Sequence, residues 1–134
     1  MNQDDFISMV IGKPWVNRSS GPYSYDCWGL VIKSFECIDG ITLPTVAGYI
    51  EKEKTHVAAP AEAEKDWWIQ SDGSDGDVAC FYNHKGRFMH VGRVLAGGVA
   101  HSSGLEGVGA VKWEPKKVVS DRFHKTEYRK YANN

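Results

Sequence analysis

The apolar pattern of this chain changes period along its length: helical before residue 40, then short β-branched and aromatic runs from Asp77 onward. Cys27, Leu30, Val31, Ser34, Phe35 and Ile38 fall at i, i+3, i+4, i+7, i+8 and i+11, one face of a helix that has to be buried. Ser24 and Asp26 both qualify as its N-cap, and Gly40 can end it. A shorter N-terminal helix is expected over residues 6–11, with Phe6, Met9 and Val10 on one face and Gly12 and Pro14 as the stop. Runs at 78–82, 88–95, 99–102 and 108–113 read as an antiparallel meander, with turns at 83–86 and 96–98. Helices first and sheet second imply an α+β domain, N-terminal helices packed on a central antiparallel sheet.

Between these halves the signal is weak. Residues 41–54 show no clear period, and Pro60 suits the first turn of a helix running to Trp67. The 134 residues fit one domain, 1–134, large enough for a core without disulfide or metal support. With a net charge of −1 and both signs interspersed, no basic field favours nucleic acid. Cysteines at 27, 37 and 80 form neither a CxxC pair nor a disulfide framework, which fits synthesis in a reducing compartment. The start, Met1-Asn2-Gln3-Asp4-Asp5, is acidic with no long apolar run after it, so neither a secretory signal nor a membrane span is expected. Action outside the cytoplasm would then require delivery, in a virion or to the periplasm or cell wall.

The helix register places a thiol in a first turn. There the unpaired N–H groups and the helix dipole favour an anion, and such positions lower a cysteine pKa from about 8.5 towards neutrality. A buried, inert cysteine is the plain alternative; a nucleophile needs a base, and the base an orienting group. His90 shares a strand face with Gly92 and Val94, and a two-residue turn at Gly97-Gly98 sets His101 opposite Val94 on that same face. Two histidines on one face weigh against a single core histidine satisfied by a carbonyl. In that register they stand several residues apart at about 3.3 Å each, so contact needs a bulge or another register.

These residues carry a resemblance. The chain resembles the NlpC-type cysteine peptidases, papain-like enzymes that cut peptidoglycan stem peptides. Gly12-Lys13-Pro14-Trp15-Val16 is similar to the entry segment, Asp26-Cys27-Trp28-Gly29-Leu30-Val31 to the nucleophile motif, and Gly76-Asp77-Val78-Ala79-Cys80-Phe81 to the Gly-Asp strand. His90-Val91-Gly92 resembles the general-base motif and Val99-Ala100-His101 the site of the third polar residue. The resemblance implies a papain-like fold and catalysis by Cys27, His90 and His101 with no metal or cofactor. It implies oxyanion or substrate contacts at Trp15, Asp26 and Trp28, although Trp15 stands where many relatives carry tyrosine and Trp28 where they carry serine. The implied substrate is a stem peptide, most often cut between D-glutamate and the diamino acid, with the amide between muramic acid and L-alanine as the alternative bond. The Cys-Trp-Gly-Leu-Val variant is most similar to versions in phage and prophage tails, which implies tail or other delivery proteins as partners. Two alternatives follow: a tail component that keeps the fold with little turnover, and a thioester-forming acyltransferase.

Other groupings carry less. Cys80, His84 and His90 lack the spacing of a zinc site. Asp72, Asp75 and Asp77 lack the pattern of a calcium loop and read as a solvated turn. Trp67 and Trp68 are expected to supply core, His56, His84 and His124 to lie at the surface, and Cys37 to point away from the apolar face.

Overall fold

The computed structural model describes residues 1–43, 68–104 and 107–131. The expected helix over 60–67, His56 and Trp67 lie outside the described residues. Six strands, β1 (Trp68–Ser71), β2 (Val78–Tyr82), β3 (Phe88–Leu95), β4 (Gly98–Ser103), β5 (Ala110–Pro115) and β6 (Lys125–Tyr131), form one antiparallel sheet in the order β1-β6-β2-β3-β4-β5. Strands β2 to β5 are the expected meander. The fourth run is shifted: β5 starts at Ala110, and Val108 lies in the preceding turn, largely exposed. Two strands are additional. β6 returns to pair with the free side of β2, and the four-residue β1 pairs outside it.

Helix α1 (Gln3–Val10) is capped by Asn2 and buries Phe6 and Val10, one turn apart. Met9, expected on that face, is exposed, and Ile7 packs inward in its place. Helix α2 (Cys27–Ser34) buries Cys27, Leu30, Val31 and Ser34 as its spacing requires. It continues as a π-helical turn, Phe35–Asp39, ended by Gly40 at φ 68°. Cys37 in that turn is half-buried beside the Phe6–Leu30 cluster, so it is less outward than its spacing suggests. Among the described residues no helix is long and apolar enough to cross a membrane.

Two apolar clusters pack along α2. One gathers Cys27, Trp28, Val31 and Phe35 with Trp68, Val78, Cys80 and Val91; the other gathers Phe6, Val10, Tyr25 and Leu30 with Leu95, Ala100 and Val111. A third, of Ala79, Phe81, Val94, Val99 and Val119, includes side chains of the alternate pleat positions and is covered by α3 (Lys116–Ser120). Trp68 is core as expected, edge-on to Trp28, Phe35 and Tyr131. His84 and His124 are exposed. Asp77 departs from the solvated-turn reading: it is buried and accepts the Gly73 and Ser74 N–H groups at 3.2 and 2.9 Å, tying the turn ahead of β2.

The β3–β4 hairpin turns one residue earlier than expected. Leu95 pairs with Gly98, so Ala96 and Gly97 form the loop, both with positive φ (49° and 80°), the mirror-image turn that matches strand twist. Ala96 N–H donates to Gln3 Oε1 at 2.7 Å and Gly97 N–H to Asp75 Oδ1 at 2.9 Å, which offsets the left-handed cost at alanine. Gly98 is needed for close approach rather than for the turn. A Cβ there would lie 2.8 Å from the Glu114 carbonyl oxygen and the Trp113 ring.

Candidate active site

The start of α2 is held by Asp26. One carboxylate oxygen accepts the Gly29 N–H and the other the Arg18 N–H, each at 2.6 Å, while the Asp26 N–H donates to the Ser19 carbonyl at 2.9 Å. The wholly buried side chain is therefore N-cap and loop clamp at once, roles fixed by backbone donors. Tyr25 N–H donates to the Pro14 carbonyl at 3.0 Å, and Ser102 Oγ donates to the Tyr25 carbonyl at 2.5 Å. Pro14 bridges Ala110, and Trp15 N–H donates to the Gly109 carbonyl at 2.9 Å. Cys27, first residue of α2, is thus anchored to β4 and to the segment entering β5.

Cys27 is buried in the same cluster as Phe88 and Val91 of β3, with Cys80 opposite Val91 on β2. Trp28 is buried there too, and among the described residues its Nε1 has no hydrogen-bond partner. Trp15 is also buried.

The histidines meet because of the shifted turn. The β3–β4 register, continued one residue beyond Arg93↔Ala100, sets His101 opposite Gly92. His90 is then its diagonal neighbour, about 7–8 Å away at the backbone and within reach of two rings. His90 Nε2 lies 2.9 Å from His101 Nδ1. Gly92 keeps the space open, since a Cβ there would sit 2.6 Å from Val99 Cγ1 and 3.0 Å from His101 Cβ. The His90 ring stacks on Phe81, its cross-strand partner, and on Phe123, with centroids 5.8 and 5.9 Å away.

A second diagonal extends the line. β5 pairs Val99 with Glu114 and His101 with Lys112, so Glu114 shares the histidine face. His101 Nε2 lies 2.9 Å from Glu114 Oε1. Arg122, delivered by the turn after α3, donates from Nη1 to Oε1 at 3.0 Å and from Nη2 to Oε2 at 2.7 Å. This fork, ahead of the His101 contact, holds the Glu114 carboxyl down at about 2, and Glu114 in turn raises Arg122. Burial lowers the His101 pKa; Glu114 opposes that shift, while Arg122 and Lys112 add to it. Neither Glu114 nor Arg122 was signalled by the sequence. The expected fourth strand stops at Trp113, and the one available cue, a glutamate directly after it, has meaning only in the β4–β5 register.

Strand pleating sets Cys80 and His90 on opposite faces of the sheet, because Phe81 is the partner of His90. Among the described residues no three His, Cys, Asp or Glu side chains gather as a metal site. A thiol at a helix start, and on the sheet that this helix packs against an imidazole paired with a second one held by a carboxylate, are the parts that acyl transfer through a thioester requires.

The NlpC/P60 family model matches residues 12–128. Solved structures share the fold: NlpC1 from Trichomonas vaginalis at TM-score 0.62 and 19% identity, covering 97% of this chain and 43% of that one. NlpC2 from Trichomonas vaginalis matches at 0.64 and 19%, covering 97% and 45%. The NlpC/p60 domain of peptidoglycan hydrolase SagA matches at 0.57 and 18%, covering 96% and 97%. The chain thus spans less than half the length of the two Trichomonas proteins. No curated protein matches the sequence.

Proposed function

This chain belongs to the NlpC/P60 family, and from that premise we propose that it is a cysteine peptidase that hydrolyses peptidoglycan stem peptides. Members of the family are typically cysteine peptidases or amidases acting on peptidoglycan. The observation that carries the reading is the 2.9 Å contact of His90 with His101, a residue of β4, the strand to which the Cys27 turn is tied. A core histidine satisfied by a carbonyl does not need that partner.

In this mechanism the Cys27 thiol loses its proton to His90, and Sγ attacks the peptide carbonyl. The Cys27 N–H, at the positive end of α2, stabilises the tetrahedral oxyanion. As the C–N bond breaks, His90 returns the proton to the leaving amine, and a thioester to Cys27 remains. His90 then activates water, which releases the acyl product and the thiol. His101 orients His90. Trp15 and Trp28 line the substrate side, while Asp26 acts through the helix start.

The bond between D-glutamate and the diamino acid is the proposed point of cleavage, and phage tail proteins are the proposed delivery partners; both rest on the motif resemblance. Digestion of purified peptidoglycan with wild type and Cys27→Ala, followed by mass analysis of fragments, tests activity and locates the bond. Release of fragments by wild type and not by the variant is expected. Equal release by both would remove Cys27 from the mechanism.

A further inference from the structure

We infer that Glu114, clamped by Arg122, sets the tautomers of both histidines and thereby decides which nitrogen of His90 takes the thiol proton. This rests on the catalytic reading above. An ionised carboxylate has no proton to give, so the 2.9 Å contact requires His101 Nε2 to carry the hydrogen. A neutral imidazole carries one N–H, so His101 Nδ1 is an acceptor. His90 Nε2, 2.9 Å from it, must then be the donor, and the basic lone pair of His90 is placed at Nδ1. Each step follows from the previous one, and the first depends on Glu114 remaining charged. The bidentate Arg122 fork secures that charge and fixes the carboxylate plane.

The arrangement also bears on the ion pair. When His90 is protonated, its Nε2–H still donates to His101, whose Nε2–H points at the Glu114 anion, so a negative charge lies at the far end of the line from the thiolate. The charged groups acting on His101 are Glu114 and Lys112 from β5 and Arg122 after α3, with His90 facing it from β3. Burial, with Arg122 and Lys112 adding to it, disfavours a second proton on His101 at Nδ1, which would end its acceptor role. Glu114 is thus a positioning residue acting through His101.

The test has two readouts. Histidine ¹⁵N spectra of the wild type should show Nε2–H tautomers for His90 and His101. Glu114→Ala should show mixed tautomers and a loss of about 10- to 100-fold in iodoacetamide labelling of Cys27 at pH 6, by analogy with removal of the partners that orient metal-ligating histidines. Arg122→Ala, which leaves the carboxylate in place, should keep the tautomers and lose less. An Nδ1–H tautomer on either histidine in the wild type overturns the inference, and needs no variant to fold. A folded Glu114→Ala with unchanged tautomers, or changed tautomers without slower labelling, also overturns it. Wild type lacking selective labelling at Cys27 would instead count against the catalytic reading, and the tautomers would still be read independently.

Discussion

Replacing Gly29 with alanine tests how the nucleophile turn is built, because two effects of opposite sign compete. Within an exposed helix, alanine is favoured over glycine by about 1 kcal/mol. In this structure the added Cβ would lie 1.9 Å from the Ser19 carbonyl oxygen, 2.8 Å from its carbon and 2.9 Å from Asp26 Oδ1. Relief requires the 18–19 backbone to retreat by more than about 1 Å to reach ordinary contact distance. That retreat stretches the Asp26 N–H to Ser19 bond (2.9 Å) and the Arg18 N–H to Asp26 bond (2.6 Å). A neutral buried bond contributes about 1 kcal/mol and one to a carboxylate about 1.5–3 kcal/mol, so the clash wins and Gly29→Ala should be destabilised by about 2–3 kcal/mol. Urea unfolding should show a lower midpoint with unchanged slope. Peptidoglycan hydrolysis should fall by about 100-fold at temperatures where the variant is folded, because Cys27 sits two residues away on the displaced turn. A variant as stable as wild type, or more so, would refute the reasoning: the 18–19 segment would then not be packed against α2.

Arg93→Ala should cost about 3 kcal/mol in chemical denaturation while leaving hydrolysis by the folded fraction unchanged. It removes a buried guanidinium that lies 2.7 Å from Asp39, 3.1 Å from the Gly76 carbonyl, 3.2 Å from Ser34 Oγ and 3.6 Å above the Phe35 ring. Arg93→Met, which keeps the stem, should lose less. Glu114, with its carboxyl held at about 2 in the folded protein, stabilises fully above the unfolded glutamate value of about 4.3 and loses that contribution as pH falls from there to about 2. The stability gap between wild type and Glu114→Ala should therefore shrink by about 1–2 kcal/mol between pH 5 and pH 2, a figure discounted because Arg122 is half exposed. A gap that stays constant over that range would show that the fork does not hold the carboxylate in solution.

Periodicity is local, and what depends on it was legible in the sequence. The buried face of α2, a cap at Ser24 or Asp26 between which the structure chose Asp26, its Gly40 stop, and strands β2 and β3 follow from residue spacing and turn chemistry within one segment. So does the placement of His90 and His101 on one sheet face, because strand alternation survives a change of register by two. Strand β6, Lys-Thr-Glu-Tyr-Arg-Lys-Tyr, left no alternating apolar signal, since most of its side chains are half exposed and it is defined by pairing with β1 and β2. The contact between the histidines was decided by tertiary structure. It depends on Ala96 rather than Gly98 entering the turn, a choice intrinsically disfavoured for alanine. Gln3 and Asp75, distant in sequence, bond the turn, while close packing of β5 demands glycine at 98. Glu114 and Arg122 join the site for the same reason. A diagonal across paired strands and a guanidinium brought round by a short helix have no spacing in the chain to announce them; register, which is a property of two segments together, creates the site.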